Sequence, residues 1–152
     1  MSTATTKSIA SALNSLIETC KDGQEGFRSA AEDVTNSDMK ALFNELSMQR
    51  HQFVIELQQL VASVGEEAET SGSIAGALHR GWIDLKSALS KSDEHAVLAE
   101  CERGEDSAVA EYKEALEHSE LPDNIRHVIQ QQYMSVQAAH DRVRVLRDRF
   151  EK

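Results

Sequence analysis

Apolar residues recur every three or four positions through most of the chain, which is the spacing of one face of an α-helix. The pattern is interrupted by a polar turn at residues 35–38, by Gly65 and the acidic stretch after it, by residues 92–93 and by Pro122. It predicts helices over residues of about 6–34, 39–64, 74–89, 93–118 and 122–150. We therefore expect an all-α protein folded as a single domain, residues 1–152.

The lengths of the connections predict how the helices are arranged. About four residues join the first two long helices, and about four join the last two, so each pair should form an antiparallel hairpin. Residues 65–92 lie between the hairpins and are long enough to run back along a bundle about 40 Å tall. Hairpin, long crossover and hairpin is the ferritin-like order. The chain should therefore be a ferritin-like four-helix bundle with a short fifth helix in its crossover.

Polar side chains occupy positions that the apolar pattern directs inward. At about 100° per residue, Arg50 lies at the centre of the apolar stripe of the second helix. Glu105 has the same place on the fourth helix, and Gln132 and His140 lie on the inward face of the last one. Because buried polar groups need hydrogen-bond partners or a ligand, we expect these side chains to meet in the core.

Composition narrows the choice of partners and location. The formal net charge of −10 argues against nucleic acid or an anionic membrane as the partner, since both are negatively charged themselves. No run of about eighteen apolar residues or signal-peptide pattern is present, so a cytoplasmic protein without a membrane span is expected. Cys20 and Cys101 fall on inward faces and are expected to be reduced thiols. Four arginines should form a solvated or dimer-facing surface on the last helix: Arg142, Arg144, Arg147 and Arg149.

Several stretches carry a family resemblance. Residues 26–31, 42–45 and 49–53 resemble the first hairpin of rubrerythrin-type ferritin-like proteins. The chain as a whole resembles a bacterial family of ferritin-like four-helix-bundle proteins described as a domain of unknown function. That second resemblance rests on four short stretches, at residues 20–23, 78–82, 101–106 and 139–142. It implies the fold and suggests a stress-related setting, but this family has no settled activity to transfer.

The resemblance also implies where a metal centre would lie. Di-iron relatives place a Glu on each of two helices and a Glu-x-x-His pair on each of the other two, all pointing inward. Here the first such pair falls on Arg50 and Phe53, which bind no metal, and the second falls on Gln137 and His140. Glu105 corresponds to a surviving ligand. With so few carboxylates, we expect no complete di-metal site and no cofactor.

Two interpretations of the remaining polar residues stay open. In the first, Arg50 takes the place of the lost metal charge and pairs with Glu105, with His140, Gln132 or Tyr112 completing the hydrogen bonds. This interpretation predicts a short contact between the Arg50 guanidinium and the Glu105 carboxylate. In the second, Glu102, Glu105 and His140 hold one iron or manganese ion whose other positions are filled by water. The positive charge of Arg50 would oppose that ion.

The function predicted from these features is association with protein. The chain has no phosphate-binding loop, nucleophile elbow or paired-cysteine metal motif, which favours a non-catalytic protein over an enzyme. We expect a homo-oligomer or a complex with another protein, with His79, Arg80 and Trp82 as a candidate interaction surface. Alternatively, Trp82 only packs the crossover onto the bundle. Two other functions stay open: a metal-dependent oxidoreductase or storage protein, and a module that binds a ligand beside Gln132 and His140.

Overall fold

Four long helices make up the fold in a computed structural model that describes residues 2–67, 82 and 94–150. They are α1 (Thr3–Asp33), α2 (Ser37–Ser63), α3 (Glu94–Leu116) and α4 (Asp123–Phe150). The four predicted long helices are all present, and no strand occurs in these ranges. Apart from Trp82, the predicted short helix at 74–89 lies outside the described residues. No described helix combines the length and the apolar character needed to span a membrane.

Local polar contacts explain where the first hairpin begins and turns. Ser2 Oγ accepts a hydrogen bond from the backbone N–H of Thr5, and this cap starts α1 a few residues earlier than the apolar pattern indicates. Asn36 Oδ1 caps α2 in the same way through the N–H of Met39. After α2 the chain turns at Gly65, whose φ of +79° is a conformation that favours glycine.

Contacts between the helices define a bundle of two hairpins. α1 packs against α2 and α3, and α4 packs against α3 and α2. Hydrogen bonds from Thr35 to Glu94 and between Ser8 and His118 join opposite ends of α1 and α3, so these two helices are antiparallel. It follows that α2 and α3 run in the same direction on a diagonal. The connection between them therefore joins opposite ends of the bundle, as the predicted crossover requires.

In the part of the chain that the structure describes, the core consists of two apolar clusters with a polar layer between them. One cluster lies toward the α1 N-terminus and includes Ile9, Leu13, Leu57 and Ile129. The other lies toward the α1 C-terminus and includes Phe27, Met39, Phe43, Leu98 and Val143. Arg50 and Glu105 form the polar layer. Each lies on its helix between residues of one cluster and residues of the other.

Trp82 is packed against glycines on two helices. A Cβ built on Gly104 of α3 would lie 2.2 Å from Trp82 Cε2, and one on Gly26 of α1 would lie 2.5 Å from Trp82 Cε3. The indole also meets the Phe27 ring edge-on, with 5.2 Å between ring centroids. This is the packing contact that the sequence allows for Trp82 as an alternative to an interaction surface. His79 and Arg80, the other members of that predicted surface, lie outside the described residues.

Replacing Gly104 by alanine tests the packing of the Trp82 indole against this helix. Helix propensity alone favours Ala over Gly by about 1 kcal/mol. We expect the opposite sign, a loss of roughly 1–3 kcal/mol of unfolding free energy, because the added methyl overlaps the indole. Denaturant unfolding and the emission spectrum of the single tryptophan measure both effects. Ala110→Gly, on the exposed side of the same helix, calibrates the propensity; a Gly104→Ala variant more stable than wild type would contradict the packing.

Candidate functional site

Arg50 and Glu105 form a two-pronged ion pair inside the bundle. Arg50 Nη1 donates to Glu105 Oε1 at 2.6 Å, and Nη2 donates to Oε2 at 2.6 Å. Arg50 is 1% exposed and Glu105 is 0% exposed. The contact predicted from the sequence is therefore present, and the planar guanidinium satisfies both carboxylate oxygens at once.

The residues around Arg50 leave room for its side chain and keep it charged. A Cβ on Gly23 would lie 3.2 Å from Arg50 Nη1, so the absence of a side chain there admits the guanidinium. Arg50 Cζ lies 5.6 Å from the centre of the Phe27 ring, within the range of a cation–π contact. Burial disfavours the charged guanidinium, but the Glu105 carboxylate outweighs it and raises the pKa of Arg50 above its usual value.

A second polar network lies beside the ion pair and joins all four helices. Tyr112 Oη on α3 donates to Gln132 Oε1 on α4 at 2.6 Å, and Cys20 Sγ on α1 lies 3.1 Å from Tyr112 Oη. Gln132 Nε2 donates to Glu56 Oε1 on α2 at 2.9 Å. Burial raises the pKa of Tyr112 well above its usual value and that of Cys20 to about 11. The side chains of Tyr112 and Gln132 thus form hydrogen bonds within this network rather than with the ion pair of Arg50 and Glu105.

Two members of this network, Cys20 and Glu56, are absent from the residues predicted to form the polar cluster. The sequence placed Cys20 on an inward face, but it gave no sign that the thiol would meet a tyrosine hydroxyl. Glu56 lies only partly buried beside the apolar stripe of α2, and its role depends on reaching α4.

His140 does not contact the buried ion pair, which corrects its predicted place in that cluster. Its Nε2 lies 2.5 Å from Asp106 Oδ1 and its Nδ1 lies 3.2 Å from Asp141 Oδ1, near the surface. The reason is rotation: eight residues after Gln132, a side chain points about 80° away around the helix. Burial would lower the pKa of His140, but the hydrogen bonds to Asp141 and Asp106 outweigh it and raise the pKa.

The alternative metal site predicted from Glu102, Glu105 and His140 is also not assembled. Both oxygens of Glu105 are bound by Arg50, and the carboxylate grouped with Glu102 and His140 is that of Asp106. Adjacent residues on a helix point about 100° apart, so Asp106 faces α4 where Glu105 faces the centre. A di-metal centre does not fit the bundle centre either, because a buried guanidinium already neutralises its carboxylate.

A groove on the surface lies next to His140. It has a volume of about 410 Å³ and is lined by Asp106, Val109, Gln137, His140 and Asp141. Gln132 does not line it. This groove between α3 and α4 therefore adjoins His140 and not Gln132, whereas the sequence predicts a cavity beside both.

Comparison with known proteins places this fold in a family. The sequence profile described as Domain of unknown function (DUF2383) matches residues 8–118. The chain belongs to this family. The match begins within α1, extends past the end of α3 and stops before α4. A comparison with curated proteins gives no significant match.

A solved structure supports the ferritin-like architecture. The chain is similar to a point mutant of Mycobacterium smegmatis Dps1, with a TM-score of 0.80 and 14% sequence identity. The similarity covers 95% of this chain and 98% of that one. At this identity the likeness establishes the fold alone, and it confirms the predicted all-α ferritin-like bundle.

Substitutions at the ion pair should have strongly non-additive effects on stability. Arg50→Met leaves the Glu105 charge buried without its partner, and we expect a loss of about 3–5 kcal/mol of unfolding free energy. Adding Glu105→Leu should recover most of that loss, because no charge then remains to be desolvated. Denaturant unfolding of both single variants and the double variant gives the coupling. Additive losses would contradict a direct pair.

Both thiols should be protected in the folded protein. Cys20 is 1% exposed and Cys101 is 0% exposed, and burial raises the pKa of each thiol. Since the thiolate is the reactive form, a chromogenic disulfide reagent at about pH 8 should label the folded chain slowly, and Cys20 should react faster as the pH rises toward 11. Unfolding in denaturant should release both thiols. Single Cys→Ala variants assign each rate, and rapid labelling of either folded thiol would contradict this burial.

Proposed function

We propose that this protein is a non-catalytic ferritin-like bundle that acts by associating with further copies of itself. A buried ion pair occupies its centre, at the position where the family resemblance implies the metal ligands of di-iron relatives. The working surface is then the outside of the bundle. Within this proposal the protein is bacterial, cytoplasmic and stress-related, as the family resemblance suggests.

The Arg50–Glu105 pair supports the non-catalytic part of the proposal. A metal centre at this position would require Arg50 to leave, because a guanidinium and a metal cation compete for the same carboxylate. The competing possibility, an iron or manganese oxidoreductase or storage protein, depends on Glu105 as a metal ligand. Glu105 instead gives both oxygens to Arg50.

The observation that carries the association is an exposed stretch of α4, residues 124–138, whose exposed side chains carry no charge. Among the described residues, the large apolar side chains that are exposed are Met48 of α2 and Met134 and Val145 of α4, at 73%, 56% and 48%. Around Met134 the exposed residues of α4 bear no carboxylate, lysine or arginine: Asn124, His127, Gln130, Gln131, Gln137 and Ala138. Interfaces are depleted of charge and enriched in methionine at their centres.

The register of the two helices places the methionines close together along the bundle. Arg142 pairs with Glu45 and Gln132 reaches Phe53 O, so α2 and α4 are antiparallel and Met48 lies level with a position about one turn from Met134. A second copy is the occupant that this surface fits. In a chain with a net charge of −10, two copies repel each other least where neither carries charge.

Light scattering during size-exclusion chromatography tests self-association. We expect the wild-type chain to form one defined oligomer, and Met134→Lys to shift it toward the monomer because a charge would be buried in the interface. Ala110→Lys, which adds the same charge on the exposed side of α3, should leave the oligomer intact. A monomeric wild type at all concentrations, or equal dissociation by both substitutions, would refute the proposal.

A further inference from the structure

Carboxylates surround His140 at the surface between α3 and α4, away from the buried ion pair. His140 Nε2 lies 2.5 Å from Asp106 Oδ1 and 3.9 Å from Glu102 Oε2. One ligand atom from each of these residues lies within 4.8 Å of the others, and the described ranges contain no second group of His, Cys, Asp or Glu that does so. We propose that Glu102, Asp106 and His140 bind one divalent transition-metal ion, with Zn²⁺ as the preferred ion.

Rigid helices hold the three side chains together. Glu102 and Asp106 are four residues apart on α3, so their side chains lie one turn apart on the same face. His140 reaches them from the neighbouring antiparallel helix α4. The ligand atoms are therefore placed by helix packing, which is the more exact way to position a site.

The surroundings of His140 suit a metal ligand. Nε2 lies 2.5 Å from Asp106 Oδ1, a hydrogen bond that a metal ion at Nε2 would replace by displacing the proton between them. Nδ1, 3.2 Å from Asp141 Oδ1, would keep its N–H and donate it to that carboxylate. One imidazole and two carboxylates form a set that zinc accepts, whereas Mg²⁺ and Ca²⁺ prefer oxygen ligands alone. The adjoining groove of about 410 Å³ leaves space for a water ligand at an open position.

Glu102 already interacts with a cation. It is only 9% exposed, and its Oε1 forms an ion pair with Arg147 of α4. A carboxylate so far from water is stabilised by a neighbouring positive charge. A metal ion would share Glu102 with Arg147, and the two positive charges would repel each other. Removing Arg147 should therefore strengthen metal binding, even though it removes an ion pair.

Zinc titration of the tag-free, full-length chain by calorimetry tests the site. We expect one saturable site per chain, no displacement by excess Mg²⁺, and affinity weakened by about tenfold or more in His140→Ala and in Asp106→Asn. His127→Ala removes an exposed histidine of the same helix and should bind zinc as the wild type does. Circular dichroism checks that each variant is folded.

Arg147→Gln provides a test with the opposite sign, which does not depend on losing a ligand. We expect it to bind zinc several-fold more tightly, while Arg149→Gln, which removes the same charge from the exposed end of α4, should change the affinity little. No saturable binding by the wild type, or equal affinity in His140→Ala and His127→Ala, would overturn the site. So would weaker binding by Arg147→Gln. The oligomeric state of these variants, measured in parallel, separates this result from the proposed self-association.

Discussion

The buried pair of Arg50 and Glu105 is the constraint on which the centre of this bundle depends. It joins α2 and α3, which lie on a diagonal and whose backbones do not approach closely. Two charges removed from water are tolerated only while each satisfies the other, so the axial register of these helices is limited to the one in which both prongs meet. The apolar clusters on either side exclude water from this layer.

Phe27 links this ion pair to the chain outside the four helices. Its ring faces Arg50, meets the edge of Trp82 and stacks on Phe43 with centroids 5.9 Å apart. Glycines in the middle of helices are destabilising by themselves. Gly26 and Gly104 are explained by the indole packed against them, since its buried apolar area offsets that cost.

The sequence was sufficient to predict the features that depend on the residues of a single helix. Arg50 and Glu105 each lie at the centre of an apolar stripe, and two such charges of opposite sign have few alternatives to meeting. The contact between His140 and Asp106 could not be predicted in this way. A residue near the edge of an apolar stripe can face the core or the surface, and which of the two occurs depends on how α3 and α4 are rotated relative to each other. The hydrogen bonds of Cys20 and Glu56 depend on the axial register between helices, and the apolar periodicity of each helix does not determine that register. The first helical turn of α1 depends on the Ser2 cap, a local hydrogen bond that the apolar pattern does not register.

The hydrogen bonds that run from Cys20 to Glu56 have a direction. Tyr112 has one hydroxyl proton and donates it to Gln132, so the thiol of Cys20 must donate to the tyrosine oxygen. The amide N–H of Gln132 donates to Glu56, whose carboxylate can only accept. Each donor in the series therefore precedes its acceptor along the path from α1 to α2, and the hydrogen bonds can be arranged in only this direction. A terminal group that could donate as well as accept, such as a glutamine amide, would permit the reverse order, so the acceptor-only carboxylate of Glu56 fixes the direction of these hydrogen bonds.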